Sequence, residues 1–182
     1  MSKNMTVEKT FASAIQNHQK NNFKAAEDLY NQILEIDPNH IKTIFFLGTL
    51  SVQTKNFDRA KQMLQKTIQA QPNNVDAYNN LGVVFKEFEE FQKAKDCFEK
   101  VIQIQPKHVD ALNNLGNVFK QLNEPQKAIN YYQKAIEIEP NYVGAHYNLM
   151  EVCEKTNRII ELKNAVLNAK NIFKDNPIIK LY

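Results

Sequence analysis

The chain has 182 residues, 43% of them hydrophobic and 24% charged, with no Trp, four Gly and six Pro. That supplies enough apolar surface for a core, and too little Gly and Pro for a turn-rich sandwich or a disordered linker. The net charge of +3 is spread without a Lys/Arg block, the longest apolar runs (such as 43–47) are far too short to span a bilayer, and the start Met1-Ser2-Lys3-Asn4-Met5 lacks the apolar stretch of a secretory signal, so a cytoplasmic protein with neither nucleic-acid nor membrane partners is expected.

Taken in chain order, the sequence repeats itself. Pro38, Pro72, Pro106 and Pro140 stand 34 residues apart. The first unit, 7–40, carries Ala14 and Ala26 on either side of a turn at Asn21-Asn22. The second, 41–74, has Leu47-Gly48, a turn at Lys55-Asn56, and Ala60. The third, 75–108, has Leu81-Gly82, a turn at Glu89-Glu90, and Ala94. The fourth, 109–142, has Leu115-Gly116, a turn at Asn123-Glu124, and Ala128. A fifth and degenerate unit, 143–176, keeps Leu149 but places Met150, Leu162 and Lys174 where Gly, Ala and Pro would fall, and 177–182 reads as the start of a truncated further unit or as a tail.

Each unit predicts two helices. In 75–108 the residues Tyr78, Leu81, Gly82 and Phe85 share one helical face, and Ala94, Phe98, Val101, Ile102 and Ile104 share another. The repeated proline ends the second helix, and the Asn that follows it (Asn39, Asn73, Asn141) is expected to cap the next. Pro125 suits the first turn of its helix, where a missing N–H costs nothing. The Gly or Ala of the first helix faces the Ala of the second, which lets the pair approach closely. One pair cannot cover its own apolar face, so stability comes from neighbour packing on neighbour.

A period of 34 with Leu-Gly, Ala, aromatic and Pro at these offsets resembles the tetratricopeptide repeat. The likeness covers about 7–176. The aromatic that usually opens the motif is matched well only by Tyr78, its equivalents being Thr10, Ile44, Leu112 and His146. The resemblance implies an all-α fold, a right-handed α-solenoid of antiparallel helix pairs forming one domain over 1–182, whose first helices line a concave groove. It also implies a scaffold that binds an extended protein or peptide in that groove.

On that reading the inward places are the second, fifth, sixth, ninth, twelfth and thirteenth of each unit. They give Asp76, Asn79, Asn80, Val83, Lys86 and Glu87, then Asp110, Asn113, Asn114, Asn117, Lys120 and Gln121, then Tyr147, Asn148, Glu151 and Lys155. Asn80, Asn114 and Asn148 form a column with one residue per unit. An Asn amide offers an acceptor and two donors, enough to satisfy the C=O and N–H of an extended chain without reading its side chains. The column is similar to the asparagine ladder of O-GlcNAc transferase-type repeat regions; the alternative is that these are solvated polar residues on an exposed face. Asp76 and Asp110 add acidic rungs that favour Lys- or Arg-bearing ligands. A carboxylate clamp of the chaperone-tail type is not expected, since of Phe45, Thr49, Asn80, Asp110 and Asn114 at its places only Asn80 matches. In the earlier units Phe11, Ile15, Phe45 and Phe46 take inward places, either as an apolar anchor for a partner or packed against each other.

No catalytic site is expected. His18, His40, His108 and His146 are scattered, no H-E-x-x-H, G-x-S-x-G or Gly-rich phosphate loop is present, and neither a metal nor a cofactor is called for. Cys97 and Cys153 lack a C-x-x-C spacing and read as reduced, buried apolar side chains, a disulfide or reactive thiol being the alternative. The apolar run Ile178, Ile179, Leu181 and Tyr182 points either to a fragment of a longer protein or to a homo-oligomer joined through apolar edges. Two rival functions stay open: a substrate-docking region of a larger glycosyltransferase- or sulfotransferase-type enzyme, and a self-assembling structural module.

Overall fold

The structure is a computed structural model that describes residues 3–173, so the apolar run at 178–182 and Lys174 lie outside the described residues. Among the described residues there are ten α-helices and no strands: α1 Lys3–Gln19, α2 Phe23–Ile36, α3 Ile41–Gln53, α4 Phe57–Ala70, α5 Val75–Glu87, α6 Phe91–Ile104, α7 Val109–Gln121, α8 Pro125–Ile138, α9 Val143–Lys155 and α10 Ile159–Ile172. They fall into two compact units, Met1–Phe88 and Glu89–Tyr182.

Both helices of a hairpin end for reasons visible in the residues. At the turn between first and second helices, Asn21, Lys55, Glu89, Asn123 and Asn157 all have φ between 54° and 59°, in the left-handed region. These five positions are 34 residues apart, so one backbone device closes every hairpin. Asn tolerates that conformation; Lys55 and Glu89 hold it at a cost of roughly 1–2 kcal/mol each.

The caps fall one residue later than the sequence predicted. Asn39, Asn73 and Asn141 do not cap the following helices; their successors occupy the cap positions. His40 Nδ1 accepts from the Thr43 N–H at 3.3 Å, Asn74 Oδ1 from the Ala77 N–H at 2.9 Å, and His108 Nδ1 from the Ala111 N–H at 3.2 Å. The N-cap of α9 is Tyr142, which makes no side-chain cap bond. A turn of two residues after the proline is needed before helical dihedrals resume, which displaces the cap. The shared place of His40 and His108 is therefore a capping role.

In the first unit, Ala14, Ala26, Tyr30, Leu47 and Leu50 form a buried cluster with Phe11, Phe23 and Phe46 packed against it. In the second, Leu112, Ala135 and Ala145 are joined by Ile102, Val109, Tyr131 and Tyr142. The close-approach column is realised. Ala26, Ala60, Ala94 and Ala128 are fully buried, and a large side chain of period 34 (Tyr30, Leu64, Phe98, Tyr132) is fully buried beside them. A Cβ added to Gly116 would lie 2.5 Å from Tyr132 Cε1, whereas one added to Gly48 would meet Leu64 Cγ at 3.1 Å. Gly116 is thus required sterically, because a real Cβ essentially never comes that close to a packed ring. In the degenerate last hairpin Met150 is fully buried, and α10 leaves Ile159, Ile160 and Leu167 exposed.

Candidate functional site

The first helix of each hairpin presents its second, fifth, sixth, ninth and twelfth places along one face, and the two compact units use that face differently.

In Met1–Phe88 the face is largely consumed by packing. Phe46 lies 5.6 Å from Phe11 and 6.4 Å from Tyr30, ring centre to ring centre, and Phe45 meets Phe46 edge-on at 5.3 Å. Burying aromatic area in such pairs outweighs leaving the rings in water. Of the two phenylalanines named as groove residues, Phe46 is an adjunct of the core and only half-buried Phe45 remains at its margin. His18 bridges two hairpins: Nε2 lies 2.7 Å from Gln53 Oε1 and Nδ1 3.2 Å from the Tyr30 hydroxyl. Gln53 Oε1 only accepts, so Nε2 carries the proton and Nδ1 receives the hydrogen of the buried Tyr30 hydroxyl. Asn80 donates from Nδ2 to Thr49 Oγ1 at 3.1 Å, leaving its Oδ1 and second N–H unspent. Asn79 Oδ1 is buried without a partner. Asp76, exposed, and Lys86, half-buried, sit in the first and last turns of α5, where their charges oppose the helix macrodipole.

In Glu89–Tyr182 the face is polar and ordered by its own framework. Tyr132 is fully buried, and its hydroxyl donates to Asn117 Oδ1 at 2.8 Å. Reversing that amide would leave the hydroxyl hydrogen without an acceptor inside the protein, so Asn117 is held with its NH₂ free for other partners. Asn148 donates from Nδ2 to Asn113 Oδ1 at 2.9 Å. Asn113 is only 8% exposed, which makes it a support for Asn148 and not a surface rung. Asn114, half-buried, spends neither its acceptor nor its donors within the described residues.

Charge flanks these amides. Asp110, exposed in the first turn of α7, accepts from the Tyr142 hydroxyl at 2.7 Å. Burial, reinforced by that hydrogen bond, pushes the Tyr142 hydroxyl well above its usual range. At the other end of the face Glu151 accepts from Lys120 at 2.8 Å and from Lys155 at 2.6 Å. The hydrogen bond from Lys120, seconded by Lys155, holds the Glu151 carboxyl below the ordinary carboxylate range. Three charges thus share one net positive. Tyr147 stands 41% exposed beside them.

Sequence reasoning missed Tyr132 and Tyr142, which orient Asn117 and Asp110. Tyr132 shares its repeat position with Tyr30, and both send a hydroxyl from the second helix to a polar residue of the first, a pattern visible in the spacing once the column of large residues is noticed. The thiols play no part: Cys97 and Cys153 are buried and unpaired, and burial pushes the Cys97 thiol up to about 12. Among the described residues no group of three or more His, Cys, Asp and Glu side chains could hold a metal ion, and no helix is long and apolar enough to cross a membrane.

Helical hairpins that recur every 34 residues are those of an all-α solenoid fold. Family models described as tetratricopeptide repeat match residues 18–82, 75–108 and 109–142, together most of the chain, and the protein belongs to that repeat family. No curated protein matches it in sequence at a significant level. Solved structures with the same fold include MamA, at 25% identity over 88% of this chain and 96% of that one with a TM-score of 0.78. Another is YrrB, described as a tetratricopeptide protein with an unusual peptide-binding site, at 19% identity over 94% and 89% with a TM-score of 0.77. A third is PilF of Pseudomonas aeruginosa, at 18% identity over 93% and 77% with a TM-score of 0.79.

Proposed function

We propose that the protein is a non-catalytic interaction scaffold, and that its first helices hold an extended polypeptide in the groove they line. The observation that carries this reading is the state of the amides on the first-helix face. Asn114 has its full hydrogen-bonding capacity unspent, Asn117 offers an NH₂ fixed by Tyr132, and Asn148 keeps an acceptor and one donor while anchored to Asn113. Side chains tied down at one atom lose less freedom on binding, so their remaining groups are pre-organised for a ligand. An extended chain presents C=O and N–H groups in alternation, matching such amides without regard to its side chains. Asn80, with Asp76 and Lys86, offers the corresponding chemistry on α5.

Phe45 contributes at most a small apolar margin, because Phe46 is already engaged in packing. YrrB's described peptide-binding site is compatible with this reading, but at that identity the likeness speaks to the fold and the argument rests on the amides themselves.

The test is binding of an immobilised library of unstructured peptides by the unmodified protein and by Asn80→Ala/Asn114→Ala/Asn148→Ala. Each lost amide pair is worth about 0.5–1.5 kcal/mol, so the triple variant is expected to bind about 10- to 2000-fold more weakly across many sequences. Equal retention by both proteins would remove the proposal.

A further inference from the structure

The hairpin-to-hairpin packing in Glu89–Tyr182 leaves a cavity of about 360 Å³ between α8, α9 and α10, away from the amides just described. Its wall carries the carboxylates of Glu137 and Glu161 and the amides of Gln133, Asn164 and Asn168, over an apolar floor that includes Leu149. Among the described residues no Lys or Arg lines it. Arg158 touches Glu161 Oε1 at 3.3 Å and is also engaged with Gln126 at 2.6 Å.

His146 is part of the same wall and is 1% exposed. Its Nε2 lies 2.8 Å from the Pro140 carbonyl oxygen, which can only accept, so Nε2 bears the proton. In the neutral ring the lone pair falls to Nδ1, and among the described residues that atom is buried without a partner. The ring is locked edge-on against Phe173 at 5.2 Å, so it cannot turn freely to find one. Two carboxylates can only accept, the imidazole Nδ1 is unpartnered, and the three amides can turn either their oxygen or their NH₂ inward, so the wall can present itself to a ligand as an acceptor surface.

We infer that this cavity is a binding site for a cationic group on an aliphatic stem, an ammonium or guanidinium. Its size lies within the usual range of small-ligand sites. The head group would be shared by Glu137 and Glu161, whose charge makes these hydrogen bonds roughly twice as strong as neutral ones, and the methylenes would lie on Leu149 and its apolar neighbours. Such a group arrives either as a free alkyl amine or as a Lys or Arg side chain of a partner polypeptide. The inference does not depend on the peptide-binding role of the first helices.

The test uses the full chain labelled for NMR, titrated at low ionic strength with agmatine and, separately, with an acetylated and amidated Gly-Arg-Gly-Lys-Gly peptide. The readouts are the His146 ring signals and the Asn164 and Asn168 side-chain amides. Saturable shifts are expected with half-saturation below about 1 mM. Glu137→Gln/Glu161→Gln, which removes two solvent-reached charges and no packing, is expected to weaken binding at least about tenfold, while Glu35→Gln, at an exposed carboxylate on α2, leaves it unchanged. A response to agmatine supports a free amine as the ligand, and a response to the peptide alone supports a partner's side chain. Absence of both responses, or equal binding by the double variant, overturns the inference.

Discussion

Phe46 and Asn114 occupy the same place in their respective repeats, the sixth, and the two compact units treat that place in opposite ways. In Met1–Phe88 the ring of Phe46 turns onto Phe11 and Tyr30 and becomes part of the packing. In Glu89–Tyr182 the amide of Asn114 stays uncommitted while its neighbours Asn113, Asn117 and Asn148 are tied to one another or to Tyr132. Repeat register assigns a residue to a face. Whether that residue supports the fold or stays uncommitted depends on what the neighbouring hairpin offers it.

The largest expected effect separates these two roles directly. Phe46→Ala removes a ring from the aromatic cluster and is expected to cost about 3 kcal/mol in urea unfolding, whereas Asn114→Ala should stay within about 0.5 kcal/mol of the unmodified protein. If Phe46→Ala left stability untouched, the assignment of that face to packing would fail. Next comes the close-approach glycine. Gly116→Ala drives a Cβ into the Tyr132 ring and is expected to cost about 2–3 kcal/mol. Gly48→Ala, facing a Leu side chain that can shift by a few tenths of an ångström, should cost less than about 1 kcal/mol; equal losses would mean that the Tyr132 ring yields as readily as Leu64. Smallest is the hairpin turn. Glu89 holds a left-handed φ of 57°, and Glu89→Gly is expected to raise stability by about 0.5 kcal/mol, the relieved strain exceeding the added freedom of the unfolded chain. The same exchange at Asn123 should give less, since Asn already tolerates that conformation.

Much of the fold was legible because a repeat states its constraints several times. The prolines set the period, the Gly/Ala positions gave the close approach, and the turn dipeptides marked the hairpins. The caps lie one residue beyond the expected places because the sequence shows a capping-competent Asn after three of the four repeat prolines and does not show how many residues the turn consumes. At the site, the identities of the amides were readable, but their orientations were not. Asn113 and Asn114 are identical neighbours in sequence, and helical rotation buries one against Asn148 while leaving the other half-buried and free.

By itself the sequence determined the period, the helix pairs and the row of amide-bearing places, because steric volume and backbone conformational limits act locally and recur every 34 residues. Only the tertiary structure decided which of those amides are spent, that Phe46 belongs to the core, and that His146 sits donor-less in the wall of an acidic cavity. The amides and Phe46 turn on partners from other helices 15 to 35 residues away, and hydrogen bonds and ring contacts at that separation are settled by packing and not by neighbouring residues along the chain.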